Sequence, residues 1–381
     1  MSLLMYYTEV YQNLLNPPNR GIFRASIFLK QNQISFEKKF IFCNIENHKT
    51  NKMKKTLLSF FTLTIFAISC QKSSVTEISN NDGNIVSNAE TPLIRRCASY
   101  EVLEQQLKAD PGLAERMNDI ENFTTRFEQN PSMNKLVNGV IVIPVVVNVL
   151  YNTTAQNISL AQITSQITVL NADFAATNSD YSLTPSIFQS VRSGNTNVQF
   201  VLDTIIRKST TTTSWGTNDA MKKTSGGGIN PTSTSTKLNL WCCNLGGGIL
   251  GYAQFPGGSA ATDGVVIDDN AFGSTGSVTS PYNKGRTATH EVGHWLNLRH
   301  IWGDKRCGDD LIGDTPLHSG ANYGCPAAGI KSSCTAKPVM MTMNYMDYTD
   351  DACMYMFSAG QKTRMQAVFA TGGPRVSFAQ P

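Results

Sequence analysis

The sequence contains no hydrophobic run long enough to cross a bilayer. Its apolar stretch from Thr56 to Ile68 falls short of the ~20 residues that a spanning helix needs. It also lacks a basic cluster. Lys and Arg outnumber Asp and Glu by 32 to 28, but they are scattered, so the net charge of +4 leaves no electrostatic footprint for nucleic acid. No fixed-period repeat appears, which excludes solenoids and propellers. Histidine is scarce, at five residues in 381. What the chain does have is a 41% hydrophobic composition, enough for a buried core, and nine cysteines. Four of these, Cys307, Cys325, Cys334 and Cys353, fall in one polar, glycine-rich stretch. That usage points to an oxidising compartment outside the cytosol.

Export requires a signal, and one lies inside the chain. Met53-Lys54-Lys55, the apolar run to Ile68, and then Ser69-Cys70 follow the order of a bacterial lipoprotein signal over residues 53–70. Cys70 would become an acylated N-terminus, anchoring the protein to the outer membrane or cell surface, with release after processing as a variant. An ordinary secretory signal or a membrane anchor is the alternative. Residues 1–52 show no sustained periodicity and are read as an upstream extension, with Met53 as the start. Residues 71–94, rich in Ser, Asn, Asp and Thr, have the composition of a flexible linker.

Apolar residues recur at helical spacing between about 98 and 128 (Val102, Leu103, Leu107, Leu113, Met117, Ile120), so a helical pro-segment is expected over 95–137. The main domain follows over 138–372, with a short tail over 373–381. It opens with the β-branched run Val140 to Val147, a buried strand despite Pro144. A helix over 160–174 and strands at 198–202, 238–241 and 264–267 come next, separated by Gly- and Ser/Thr-rich turns.

The chemistry is carried by His290-Glu291-Val292-Gly293-His294, followed six residues later by His300. Residues four apart share a helix face, so His290 and His294 can ligate one zinc ion, and Glu291 can reach a water on it. Zinc lowers the pKa of such a water toward ~7, and a neighbouring carboxylate can take its proton during attack on a peptide carbonyl. His300 lies too far along to share that face, so the helix must stop before it. Asn297 stands at the stop and is the non-glycine residue best suited to a left-handed turn.

This motif, together with Met343-Asn344-Tyr345-Met346-Asp347-Tyr348, Trp241-Cys242-Cys243-Asn244 and Asp350-Asp351-Ala352-Cys353, resembles the pappalysin family of metzincin zinc proteases over roughly residues 140–370. The resemblance implies an α+β fold: a twisted mixed sheet with two long helices above an irregular, disulfide-pinned lower subdomain, with the zinc in the cleft between. It implies a secreted zinc endopeptidase acting on protein or peptide substrates, with His290, His294 and His300 as zinc ligands and Glu291 as base. Met346 would floor the zinc site and Tyr348 would stabilise the oxyanion, unless that tyrosine only packs. It further implies bridges from Cys307 to Cys334 and from Cys325 to Cys353. Cys242 and Cys243 are left as free thiols or a vicinal pair. Asp309, Asp310, Asp314 and Thr315 are expected to hold calcium, against a solvated acidic turn.

Arg95-Arg96-Cys97-Ala98-Ser99 resembles the cysteine-switch segment of metzincin propeptides, making Cys97 a zinc ligand in the latent form rather than merely an unpaired thiol. By the same resemblance Asp351 floors the pocket for the residue after the scissile bond and selects Arg, then Lys. Its alternative is a solvated loop acid or a calcium ligand. Thr125-Arg126 is then a self-processing site. Two other functions fit less of the sequence: an inactive, zinc-stabilised surface lipoprotein that binds a partner, which would need no Glu291, and a zinc hydrolase of non-peptide substrates.

Overall fold

The computed structural model describes residues 95–130 and 139–379. The segments expected at residues 1–52, 53–70 and 71–94, Cys70 included, lie outside the described residues. No helix among the described residues is long and apolar enough to cross a membrane.

The pro-segment forms two helices, α1 (Ser99–Ala109) and α2 (Leu113–Gln129). The single helical stretch read from the sequence is broken because Pro111 follows Asp110, whose side chain instead accepts from the Gly112 N–H at 3.0 Å. Leu103 and Leu113 pack with Phe255, and Phe127 packs with Ala367 and Ala370. Thr125-Arg126 sits inside α2. Processing at that bond requires the last turn of α2 to unwind, because the cleft takes extended peptide.

The main domain carries a five-stranded sheet in the order β2-β1-β3-β5-β4. Its strands are β1 (Ile141–Tyr151), β2 (Val198–Ser209), β3 (Leu238–Cys243), β4 (Gly251–Ala253) and β5 (Val265–Asp268). All pairs are parallel except β4 with β5. Pro144 fits because β3 pairing begins only at Val145, opposite Leu238, so the missing donor interrupts no ladder on that side.

On one face, Val145, Val147 and Val149 pack with Ile163, Ile167, Leu170 and Phe174 of α3 (Leu160–Ala175) and with Val292 and Trp295 of α4 (Arg286–Trp295). The other face, with Leu150, Trp241 and Val266, is covered in part by Ala98 and Val102 of the pro-segment. Cys242 and Cys243 point to opposite faces of β3 and are both buried free thiols, so they do not bond to each other.

Helix α4 is buried along its whole length. It starts after Gly285, in the left-handed region at φ 74°, and its first N–H groups are satisfied from a distant part of the chain. Asp351 Oδ2 accepts from the Lys284 and Arg286 N–H groups at 2.8 and 3.2 Å. Beyond α4 the chain is irregular until α5 (Ala359–Ala367), apart from one short 3-10 turn at Asp351–Cys353. Two disulfides, Cys307–Cys334 and Cys325–Cys353, pin this lower part.

Candidate metal centre

Helix α4 ends where its sequence predicts. Asn297 lies in the left-handed region at φ 71°, and the Leu298 N–H returns to the Gly293 carbonyl at 2.9 Å. This turn swings His300 back over the helix. The ring centroids of His290, His294 and His300 are 4.8, 4.5 and 5.1 Å apart pairwise.

Each ring is held by its Nδ1, which donates to an oxygen: His290 to the Tyr345 carbonyl (2.6 Å), His294 to the Leu298 carbonyl (2.8 Å) and His300 to Asp304 Oδ1 (2.5 Å). The Nε2 atoms are thereby left with their lone pairs inward. His290 Nε2 is buried without a partner, and those of His294 and His300 approach to 3.1 Å. Three converging lone pairs repel one another unless a cation lies between them, so the residues fit a zinc ion. Burial also pushes the His290 and His294 pKa values well below the ordinary range, keeping both neutral as ligands must be.

Two glycines give the site its room. A Cβ at Gly293 would stand 2.5 Å from Met346 Sδ, so the methionine floor can press against α4 only because residue 293 has no side chain. A Cβ at Gly251 would stand 3.0 Å from Glu291 Cγ. Glu291 is fully enclosed, and burial pushes its pKa up to about 7 against the hydrogen bonds from Ser99 and Cys97. Tyr348 lies beside His290 and His300, with centroids 5.8 and 4.9 Å away.

The pro-segment fills the cleft over these residues. Arg96 and Ala98 extend the sheet edge: the Leu250 N–H donates to the Arg96 carbonyl (2.9 Å) and the Ala98 N–H to the Gly251 carbonyl (3.0 Å). Cys97 Sγ and the ligand nitrogens of His290, His294 and His300 lie within 4.8 Å of one another, the only such metal-binding group among the described residues. Cys97 donates to Glu291 Oε2 at 3.3 Å, Ser99 Oγ donates to the same oxygen at 2.9 Å, and the Tyr348 hydroxyl donates to the Cys97 carbonyl at 3.2 Å. Burial raises the pKa of the Cys97 thiol, and a bound dication reverses that preference. Arg95 forms an ion pair with the fully buried Asp351 and donates to the Thr349 carbonyl (3.2 Å) and Thr287 Oγ1 (3.3 Å). Asp351 is therefore not a solvated loop acid.

Of the expected calcium residues, the structure brings together Asp310 and Thr315, whose hydroxyl lies 2.9 Å from both carboxylate oxygens. Asp309 accepts from the Leu311 N–H, Asp310 from Thr315 and the Ile312 N–H, and Asp314 from Ser358 and the Gly360 N–H. Their carboxylates are thus committed to separate turns.

Sequence reasoning placed Arg95 and Ser99 in the switch segment without individual roles, and assigned none to Asp304, Gly251 or Gly293. Only Asp304 carried a signal, as a carboxylate four residues past a ligand histidine, where it can orient the ring.

A short helix bearing two histidines, a left-handed exit to a third, and a methionine beneath them define a metzincin-type zinc centre. The family model described as pregnancy-associated plasma protein-A matches residues 249–370. An extracellular metalloprotease of Verticillium alfalfae is 34% identical over 239 residues, covering 59% of this chain and 78% of its own. One of Pyricularia oryzae is 42% identical over 143 residues, 36% of this chain and only 50% of its own length. Among solved structures, a promirolysin mutant from Tannerella forsythia is 46% identical with TM-score 0.68, covering 74% of this chain and 97% of that one. Mature mirolysin from the same organism, in complex with a cleaved peptide, is 50% identical with TM-score 0.60, covering 63% and 95%. The chain belongs to the pappalysin family of metzincin zinc metalloproteases.

Proposed function

We propose that this chain is the latent precursor of a secreted zinc endopeptidase that cleaves peptide bonds before Arg and, less efficiently, before Lys. The observation that carries the reading is the pairing of Arg95 with buried Asp351 while Cys97 lies at the three histidines. A basic side chain one step from the metal position already occupies the pocket that a substrate would use. A guanidinium meets a carboxylate with a planar fork, whereas an ammonium offers a single point charge, which gives the order Arg before Lys. The precursor relative matches 74% of this chain and the mature one 63%, in keeping with removal of a pro-segment. The named relatives are extracellular, which supports export; a lipid anchor on Cys70 is part of the proposal.

Bound zinc supplies a Lewis acid for the scissile carbonyl and acidifies a water. Glu291, freed from Ser99 and Cys97 once the pro-segment departs, accepts the proton of the attacking water and delivers it to the leaving amine. The Tyr348 hydroxyl, released from the Cys97 carbonyl once the pro-segment departs, donates toward the developing oxyanion. Substrate lies extended along the edge at β4 that Arg96 and Ala98 occupy in the precursor. Casein cleavage by the activated enzyme, lost on chelation and restored by zinc, is the expected result; a zinc-loaded, activated protein that leaves casein intact would refute the peptidase reading.

Cys97→Ser should shorten the latent lifetime of the precursor, measured as the rate at which casein-cleaving activity appears after purification. Ser99 and Arg95 keep their own holds on Glu291 and Asp351, so the gain should be about tenfold rather than complete release. A mutant as latent as wild type would remove the thiol from the inhibitory set. Structural calcium in the 309–315 loop rests on its oxygen-rich composition alone. It predicts a drop of a few degrees in Tm with a calcium-selective chelator; an unchanged Tm argues for the ion-free arrangement of separate turns.

A further inference from the structure

The pro-segment makes a second ion pair with the main domain, at the turn that leads from α4 to His300. Glu121 of α2 forms a two-oxygen contact with Arg364 of α5: Nη1 to Oε1 at 2.6 Å and Nη2 to Oε2 at 2.5 Å. Arg364 is 1% exposed, and its Nε is anchored on the Asn297 carbonyl at 2.7 Å. Arg299 reaches the same carboxylate at 3.7 Å, is 8% exposed, and leaves its Nη1 buried without a partner. These two arginines belong to the catalytic domain. The carboxylate that neutralises them does not.

When the pro-segment leaves, Glu121 goes with it, as does Glu128, which adds to the field at Arg364. Asp310 of the catalytic domain also acts on Arg364, but its oxygens are taken by Thr315 and the Ile312 N–H. A guanidinium fixed by its Nε cannot turn away to find another acceptor, so its fork stays aimed at the vacated position. A pre-aimed fork loses little freedom on capturing a new carboxylate.

The position follows from the path of the pro-segment. It crosses the site from Arg95 at Asp351, past Cys97 at the histidines, to Tyr100 stacked on His300, and then to Glu121. Tyr100, Glu121, Asn297 and Arg299 line one hollow, so the arginine pair lies on the Tyr100 side of the metal, away from the Asp351 pocket. If that pocket takes the residue after the scissile bond, the arginines face the part of a substrate that precedes it.

We infer that Arg364 and Arg299 form a carboxylate-binding exosite in the mature enzyme, filled by Glu121 in the precursor, which captures an acidic side chain N-terminal to the bond being cut. This rests on the peptidase reading and adds a second element of substrate choice. The test uses activated enzyme and two series of quenched fluorescent peptides with the same residues around the cleaved bond. One series carries Glu, the other Gln, at successive positions toward the N-terminus.

The expected result is one position or a short window where Glu lowers KM about tenfold relative to Gln with kcat unchanged. In Arg299→Gln that preference should fall to about twofold or less, and Arg299→Lys should restore part of it. Because the comparison is a ratio within one enzyme, a general loss of activity in a variant cancels. Equal KM for Glu and Gln at every position, or a preference that survives Arg299→Gln, overturns the exosite. Failure to cleave either series would instead overturn the peptidase reading on which it stands.

Discussion

Replacing Glu291 with Gln should lower kcat by about 10²–10⁴-fold, the usual span for removing a positioned general base, while zinc content stays at one ion per chain. Gln keeps the shape and still accepts from Ser99, so the fold and the pro-segment contact survive. What it cannot do is take a proton. The ligand nitrogens are oriented by Tyr345, Leu298 and Asp304, none of which involves residue 291, so the metal should remain. Metal analysis and casein turnover on the same preparation separate the two effects. Loss of zinc along with activity would move Glu291 from chemistry to metal retention. A variant with nearly full turnover would mean that another group accepts the proton.

The second large effect is expected at Asp351. Asp351→Asn keeps an acceptor for the Lys284 and Arg286 N–H groups but removes the charge opposite Arg95. Breaking a buried ion pair by removing one partner typically costs about 3–5 kcal/mol. Two results follow. The precursor should lose its pro-segment faster, because Arg95 is left buried and unpaired. The activated variant should also lose most of its preference for Arg over Leu after the scissile bond, by a factor on the order of 10², as expected when a charged hydrogen-bonded partner is lost. A peptide library read on wild type and variant measures the second, and retained Arg preference in the variant would locate the selecting carboxylate elsewhere.

Much of the centre was legible because its spacing is a local property. A spacing of four positions from His290 to His294 is about one helix turn, and Asn297 announced the left-handed exit that brings His300 round. Strands β1, β2 and β5 were visible in their β-branched runs, and β3 in the apolar stretch from Leu238 to Trp241. The three residues of β4 are too few for any alternation to register, although that edge holds the pro-segment. Partners across long separations left no mark: nothing near Arg95 says that its carboxylate lies at residue 351, nor anything near Glu121 that its arginine lies at 364. The acidic loop was legible only as composition. Asp309, Asp310 and Asp314 are close in sequence, and each carboxylate accepts from a different backbone N–H, so calcium there is still a proposal that composition alone supports.

The carboxylate of Asp351 serves two masters, the N-terminus of α4 and the cation in the pocket. In evolutionary terms it is a pleiotropic position. Any exchange there that retunes selectivity also loosens the start of the helix that presents His290 and His294, so lineages altering their preferred residue at this site cross a stability valley. Adaptive drift is easier at Tyr282, whose ring lies 4.9 Å from the Arg95 guanidinium and which stands outside α4. Divergence in specificity among relatives should therefore concentrate around residue 351 and spare the residue itself.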